Sequence, residues 1–331
     1  RRVRFRSRTV LVLLTLVVAG ICARHWGKKV FITYGQYFLA LGLILTSYAD
    51  SYALLIMALM ITGIGGGFTE ALINPLVVDL HAEDSGKYLN IANAFYPIGV
   101  MAGALIFGEL LTLGYSWRLM FRIAGIGALI MGVLFHISRF PTPIEAEHSS
   151  AHVISDILRQ PGFWLFAAAI FLGAGVESSF TFWSRSYVET YLADVPRAGA
   201  IAVVIFAGTM AVGRLLSARL SEFMSLRTLM MRSAILGVLV SSAILFTNSL
   251  IAFYILLALA GFAAACFWPT ILAEADACLS VDTTMLFVML ACFGIAGFGL
   301  TPWIMGVMGD SAGLKAGFLV IPGLFIGLIL V

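Results

Sequence analysis

Glu70 is the residue of this chain best placed to do chemistry. It stands inside an apolar run over 53–77, where an ionisable side chain is costly and must face a cavity or a partner. Low dielectric disfavours the charged form of a carboxyl, which suits such a group to taking up and releasing a proton near neutral pH. Asn74 lies four residues on, one helical turn away on the same face, and offers a donor and an acceptor to a hydroxyl-rich ligand. A carboxyl and an amide so spaced fit proton-coupled handling of a polar solute. They fit equally a structural hydrogen bond between two helices, and the residues alone leave both readings open.

Other polar side chains interrupt the apolar runs. Asn93 and Tyr96 are three apart, so both can face one cavity, whereas Asn90 reads as a helix-packing residue. Glu177 and Arg185 are eight apart, two turns on one face, and Glu177 reads as a second polar cavity residue. Trp183 and Tyr187 add aromatic surface that suits the C–H face of a sugar, or else plain packing. Trp268 precedes Pro269, and a proline there frees a backbone carbonyl and bends its helix. Arg214 is expected to pair with an acid at the membrane edge, Glu222 or Asp310. Gln36 and Glu109 also fall inside apolar runs and receive no role.

The elements that hold these residues follow from composition. Of 331 residues 61% are hydrophobic and 11% charged, and the mean hydropathy is +1.02. A soluble domain carries about a quarter charged residues, so a soluble globular enzyme is excluded. The apolar runs are long enough to cross a bilayer core of about 30 Å. Eleven spans are read, at 9–23, 30–48, 53–77, 88–113, 117–139, 163–192, 199–218, 228–247, 250–273, 284–308 and 316–331. A signal peptide would account for one of them and not the rest. The polar stretch Pro141 to Pro161, with Glu145, Glu147, His148, Ser149, Ser150, Asp156 and Arg159, reads as a linker between two bundles. Its Val153, Ile154, Ile157 and Leu158 suit a short surface helix.

Several chemistries are absent from the pattern. The net charge of +3 needs no nucleic acid, since basic loops are normal in membrane proteins. Cys22, Cys266, Cys278 and Cys292, and the five histidines His25, His81, His136, His148 and His152, have no metal-ligand spacing. Gly63 to Gly67 lacks the lysine of a phosphate-binding loop, so ATP-driven transport within this chain is not expected.

The two sides of the linker repeat each other. Gly67 precedes Pro75 by eight residues and Gly261 precedes Pro269 by eight, with an offset of 194 between the prolines; Gly99 answers to Gly294 at 195. Internal symmetry of this kind marks a transporter built from two six-helix halves. Shifting the visible spans by the offset predicts twelve helices with the first missing. Loop charge predicts orientation. Nine basic residues (Arg24, Lys28, Lys29, Lys87, Arg139, Arg159, Arg219, Arg227, Arg232) fall on one side, and four (Arg118, Arg122, Arg197, Lys315) on the other. The richer side is expected to be cytoplasmic. Arg1, Arg2, Arg4, Arg6 and Arg8 fall on the poorer side and break the rule, which points to an altered, truncated or spliced start.

Gly20-Ile-Cys-Ala-Arg-His-Trp-Gly-Lys-Lys29 resembles the loop signature of the major facilitator superfamily, with Arg24 where an aspartate is usual. Residues 63–75, Gly-Ile-Gly-Gly-Gly-Phe-Thr-Glu-Ala-Leu-Ile-Asn-Pro, followed by 85–95, Ser-Gly-Lys-Tyr-Leu-Asn-Ile-Ala-Asn-Ala-Phe, are similar to the sugar:proton symporter branch of bacterial fucose permeases and related glucose transporters. Gly175-Val-Glu177 with Trp183 and Tyr187, Gly213-Arg214, Trp268-Pro269-Thr270, and Gly294 through Pro302, Gly306 and Asp310 extend the likeness over nearly the whole chain. The resemblance implies that Glu70 is the proton-coupling acid, that positions 93 and 96 contact sugar, and that Trp268 stacks on it. Asn and Tyr at those two positions depart from the fucose permeases, so a sugar other than fucose is implied.

The expectations are then as follows. The fold is an all-α polytopic membrane protein of major facilitator type, with an N-terminal bundle over 1–139, a cytoplasmic linker over 140–162 and a C-terminal bundle over 163–331. The function is proton-coupled import of a hexose or related polyol by alternating access, with no enzyme activity. Glu70 carries the proton, and Asn74, Asn93, Tyr96, Glu177, Trp183 and Trp268 bind substrate. No cofactor or metal is expected; the coupling ion is a proton, with sodium as the alternative. Partners are a small-molecule substrate, a sugar, and membrane lipid, with no nucleic acid. The protein is expected to be a monomer in the bacterial cytoplasmic membrane. Two rival readings stand beside this one: an efflux transporter, and a transport-incompetent relative that serves as a structural subunit of a membrane complex.

Overall fold

A computed structural model describes residues 2–141, 150–192 and 196–331. Glu145, Glu147, His148 and Ser149 of the expected linker, and Arg1 with the side chains of Arg2, Arg4, Arg6 and Arg8, lie outside what is described. Fourteen helices are seen among the described residues: α1 (Arg2–Trp26), α2 (Lys28–Ser47), α3 (Tyr52–Leu80), α4 (Ser85–Thr112), α5 (Trp117–Ile137), α6 (Ser150–Arg159) and α7 (Pro161–Tyr191); then α8 (Pro196–Leu220), α9 (Leu226–Phe246), α10 (Leu250–Ala265), α11 (Phe267–Cys278), α12 (Thr283–Ala312), α13 (Leu314–Phe318) and α14 (Val320–Leu330). Among those residues there is no strand.

The eleven expected spans all fall on helix. Among the described residues nine segments are long and apolar enough to cross a membrane, and two shorter apolar stretches, Val12–Trp26 and Leu314–Leu330, supply the first and last. Hydroxyl caps set several starts. The Ser51 side chain accepts from the Leu54 amide at the head of α3, and Ser116, Ser225 and Ser249 do the same for α5, α9 and α10. Two breaks have a common cause. α10 ends at Ala265 and α13 at Phe318, each four residues before a proline, Pro269 and Pro322, whose missing N–H leaves that carbonyl without its helical donor. The surface helix read from Val153 to Leu158 is present as α6, and it buries Ile157 fully while leaving Leu158 exposed.

Packing clusters the chain into two compact units. One comprises Arg1–Ala82, Ile106–Arg159 and Val281–Cys292; the other comprises Glu83–Leu105, Gln160–Ser280 and Phe293–Val331. This partition differs from a chain division at 139 and 163, because the first part of α4 packs with the second unit and the first part of α12 with the first. The core of the first unit contains Leu16, Phe31, Ile32, Ala58 and Leu72, and that of the second is rich in phenylalanine: Phe163, Phe180, Phe206, Phe253 and Phe325.

The sequence repeat is a packing repeat. In the first unit a Cβ on Gly67 would lie 3.0 Å from the Thr15 Cβ, so α3 crosses α1 at a glycine. In the second unit a Cβ on Gly261 would overlap the Thr209 hydroxyl, so α10 crosses α8 the same way. The two threonines, like Pro75 and Pro269, are 194 residues apart. Without a hydrophobic force between helices in lipid, close approach at small residues is what holds such crossings.

Candidate functional site

In the first unit, α3 carries Glu70 half-buried and Asn74 buried, one turn apart, immediately before Pro75. The turn is braced from α2, where the buried Gln36 donates its Nε2 to the Thr69 hydroxyl at 2.9 Å. At the end of α3 Lys28 reaches Asp79 at 2.6 Å and the Pro75 carbonyl at 3.4 Å. Glu70 and Asn74 therefore share a face of a helix that is tied to α2 at Thr69 and at its Pro75–Asp79 end.

In the second unit the polar centre is Arg214 on α8, which is 2% exposed. Gly213 lets α8 approach α10 closely, since a Cβ there would lie 2.7 Å from that of Ala265. Each nitrogen of the Arg214 guanidinium has one acceptor: Nη2 donates to Glu177 Oε2 on α7 at 2.8 Å, Nη1 to the Asn93 carbonyl on α4 at 2.7 Å, and Nε to the Ala265 carbonyl at 3.2 Å. Asn93 and Ala265 lie four residues before Pro97 and Pro269, so both carbonyls are ones that a proline has deprived of a helical donor. Glu177 is 6% exposed and supplies the counter-charge that a buried guanidinium requires. The Tyr96 ring lies 5.8 Å from the guanidinium carbon, within cation–π range.

This arrangement corrects one expectation directly. Arg214 does not pair with Glu222 or Asp310: it is too deeply buried to leave its charge to the membrane edge, and Glu222 is instead bound by Lys87 at 2.7 Å and by Arg219. A second correction concerns Tyr187. It is fully buried, stacked on Phe253 at 5.1 Å and packed on Phe318, with its hydroxyl on the Ile244 carbonyl at 3.4 Å, so it is core and offers no face to a ligand. Arg185 pairs with Glu189 one turn on, away from the buried Glu177.

The remaining expected residues are placed as follows. Glu177, Asn93 and Tyr96 are brought together around Arg214. The Asn93 side chain donates to the Leu89 carbonyl at 2.8 Å. Trp183 is half-buried and its indole N–H donates to the Pro302 carbonyl on α12 at 3.0 Å. Trp268 is half-buried, and its ring lies where a Cβ on Gly294 would be. Asn90 packs as expected, donating to the Thr270 hydroxyl at 3.2 Å with both residues fully buried. No group of His, Cys, Asp and Glu able to hold a metal occurs among the described residues.

Arg214 as a hub was missed by the sequence reading, although a signal existed. Two prolines each release a carbonyl four residues upstream, and a buried arginine is the donor with enough N–H groups to serve both and still hold a carboxylate.

The model of the Major Facilitator Superfamily matches residues 8–200. The chain is similar to membrane protein MosC of Rhizobium meliloti, 22% identical over 312 residues that make up 93% of this chain and 75% of that protein. It is 27% identical over 134 residues to sugar transport protein MST8 of Oryza sativa subsp. japonica, which covers 39% of this chain and 26% of that protein. Among solved structures it superposes on the E. coli fucose:proton symporter FucP with a TM-score of 0.85, at 19% identity, over 99% of this chain and 88% of that one. At that identity the superposition establishes the fold.

Proposed function

The chain belongs to the Major Facilitator Superfamily, and on that premise we propose that it imports a hexose or related polyol with protons by alternating access. The observation that carries the reading is Glu70, a carboxyl near the middle of the 29-residue apolar helix α3, with Asn74 one turn on. Intramembrane acids of this kind mark ion and substrate paths. Sharing a fold with a fucose:proton symporter, and a partial likeness to a sugar transport protein, supports a sugar as cargo. Glu70 takes up and releases the coupling proton. Asn74, Asn93, Tyr96, Glu177, Trp183 and Trp268 contact the sugar during the cycle, the amides through its hydroxyls and the aromatic rings through its C–H faces. The membrane is the bacterial cytoplasmic one, with the basic loops inside.

The test is uptake of radiolabelled hexoses and inositols into proteoliposomes under an imposed pH or sodium gradient. One proton per sugar and a gradient of one pH unit support about tenfold accumulation. Glu70→Gln is expected to bring accumulation to the passive level while leaving counterflow exchange. Unchanged accumulation in that variant would remove Glu70 from coupling, and accumulation that follows sodium alone would replace the ion.

A further inference from the structure

Three polar contacts run along one edge of α4 at three-residue spacing. Lys87 meets Glu222 at 2.7 Å, Asn90 meets Thr270 at 3.2 Å, and the Asn93 carbonyl meets Arg214 at 2.7 Å. All lie within the second compact unit, yet α4 belongs to the first copy of the sequence repeat and the three partners to the second. The first is an ion pair open to water, the second joins two fully buried side chains, and the third is made by a guanidinium that is 2% exposed. The third differs from the others in kind. Its acceptor is a carbonyl that Pro97 has deprived of its helical donor, and the same guanidinium serves the matching carbonyl, Ala265, before Pro269.

We infer that Arg214 is a positioning residue of the transport cycle: a clamp that joins the Pro97 bend of α4 to the Pro269 break of α10 and α11 and holds Glu177 as its counter-ion. The inference rests on the alternating-access reading above, because only a chain whose repeat copies part from each other must release the Asn93 carbonyl. When that bond opens, Arg214 keeps Ala265 and Glu177, so no charge is left unpaired, and the carbonyl is passed to water. A structural ion pair would need Glu177 alone. The two proline-freed carbonyls are what make the arginine answerable to the bend of both helices.

The test needs no substrate. In a background without the native cysteines, Ala94→Cys places a thiol at a fully buried position beside Asn93, and a membrane-impermeant maleimide measures how often that face of α4 opens in the purified full-length protein. Arg214→Lys keeps the charge but cannot reach three acceptors, and is expected to raise the labelling rate about ten- to a hundredfold, the worth of one charge-assisted hydrogen bond. Pro97→Ala touches neither charge: it restores an amide donor to the Asn93 carbonyl, and is expected to raise the rate in the same direction by a smaller factor. Arg185→Lys, at an exposed pair, should leave it alone. If Pro97→Ala labels at the parent rate, the proline-freed carbonyl is not what the clamp holds and the inference falls. It falls equally if Arg214→Lys folds, as judged by gel filtration, and labels at the parent rate. Because no sugar or gradient enters this assay, its failure is separable from a failure of uptake.

Discussion

Asp282 offers a perturbation whose cost can be divided. It precedes α12, where its Oδ1 accepts from the Met285 amide at 2.7 Å, an N-cap in geometry, and its Oδ2 lies 3.6 Å from Arg24 Nε. Arg24 is the residue that stands where the family's loop signature usually carries an aspartate, so this pair is the form the loop takes here. The Arg24 side chain is 8% exposed and that of Asp282 31%. At 3.6 Å there is no hydrogen bond, and Arg24 Nη1 has no partner among the described residues, so the pair is one-sided rather than bidentate. With Asp282 partly in water, screening holds its worth to about 1 kcal/mol. The cap is worth about 1 kcal/mol more. Asp282→Asn keeps the cap and loses the charge, so it should cost about 1 kcal/mol. Asp282→Ala loses both and should cost about 2 kcal/mol. The exchange Arg24→Asp with Asp282→Arg restores the attraction but not the cap, and should recover to within about 1 kcal/mol of the parent. Thermal unfolding of the detergent-purified protein with Cys22, Cys278 and Cys292 replaced by serine, followed by a thiol-reactive dye that then reports the buried Cys266 alone, separates steps of roughly 2 °C. Equal losses for Asn and Ala would refute the cap. An exchange variant no more stable than Arg24→Asp alone would refute the ion pair.

Tyr187→Phe keeps the stacking on Phe253 and should leave both stability and the KM for the transported substrate unchanged, whereas Tyr187→Ala should cost about 3–5 kcal/mol as a cavity; a raised KM in a fully stable Tyr187→Phe would restore the residue to the site. The Glu222 carboxyl is held below its ordinary value of 4.5, first by its hydrogen bond from Lys87 and then by the charges of Arg219 and Lys87. A depressed carboxyl contributes stability above its unfolded pKa and loses it as the pH falls through the folded one. Labelling at Ala94→Cys, taken relative to an unprotected thiol at the same pH because only the thiolate reacts, should therefore rise as the pH is lowered below 4.5, and Glu222→Gln should already label faster at pH 7 with that acid dependence removed. A variant with the parent's pH profile would show that the pair does not hold α4.

What could be read from sequence and what could not divides along a physical line. Hydropathy fixes which segments enter the membrane, and a proline fixes where a helix loses a bond, so the spans, the break before Pro269 and the 194-residue repeat were all legible. Which way a side chain faces was not. A helix apolar on every side has no polar face to orient it, and so Tyr187, on the same helix as Glu177, read as ligand surface when it is core. The Arg214 partner failed for a related reason. Nearness in the chain favoured Glu222, eight residues away, but that acid sits in a solvated turn where Lys87 and Arg219 already serve it. Desolvation decides the pairing: an arginine 2% exposed must find its carboxylate at its own depth, and on α7 that is Glu177. Glu70 was legible as a residue because a mid-span acid needs no orientation to be conspicuous.

The repeat also says where the two halves must differ. Positions that set helix approach correspond across it: Thr15 and Thr209, and Gly67 and Gly261, are equivalent pairs that do the same packing in their own units, and Pro75 corresponds to Pro269, although α3 runs on through its proline and α10 does not. Positions that carry charge do not. Shifted by the same offset, Glu70 and Asn74 fall on Ala264 and Trp268, and Arg214 falls on Gly20. Both prolines free a carbonyl, Ala71 and Ala265, but only the second copy has an arginine at the position that reaches it. Packing is a requirement each copy meets alone, so it is duplicated. The coupling carboxyl and the clamping guanidinium proposed above would serve the cycle as a whole, and a second copy of either would bury another charge that needs a partner. The chemistry therefore belongs at the mismatches of the repeat, which is why Glu70 on one side and Arg214 with Glu177 on the other are the residues whose substitution should separate transport from folding.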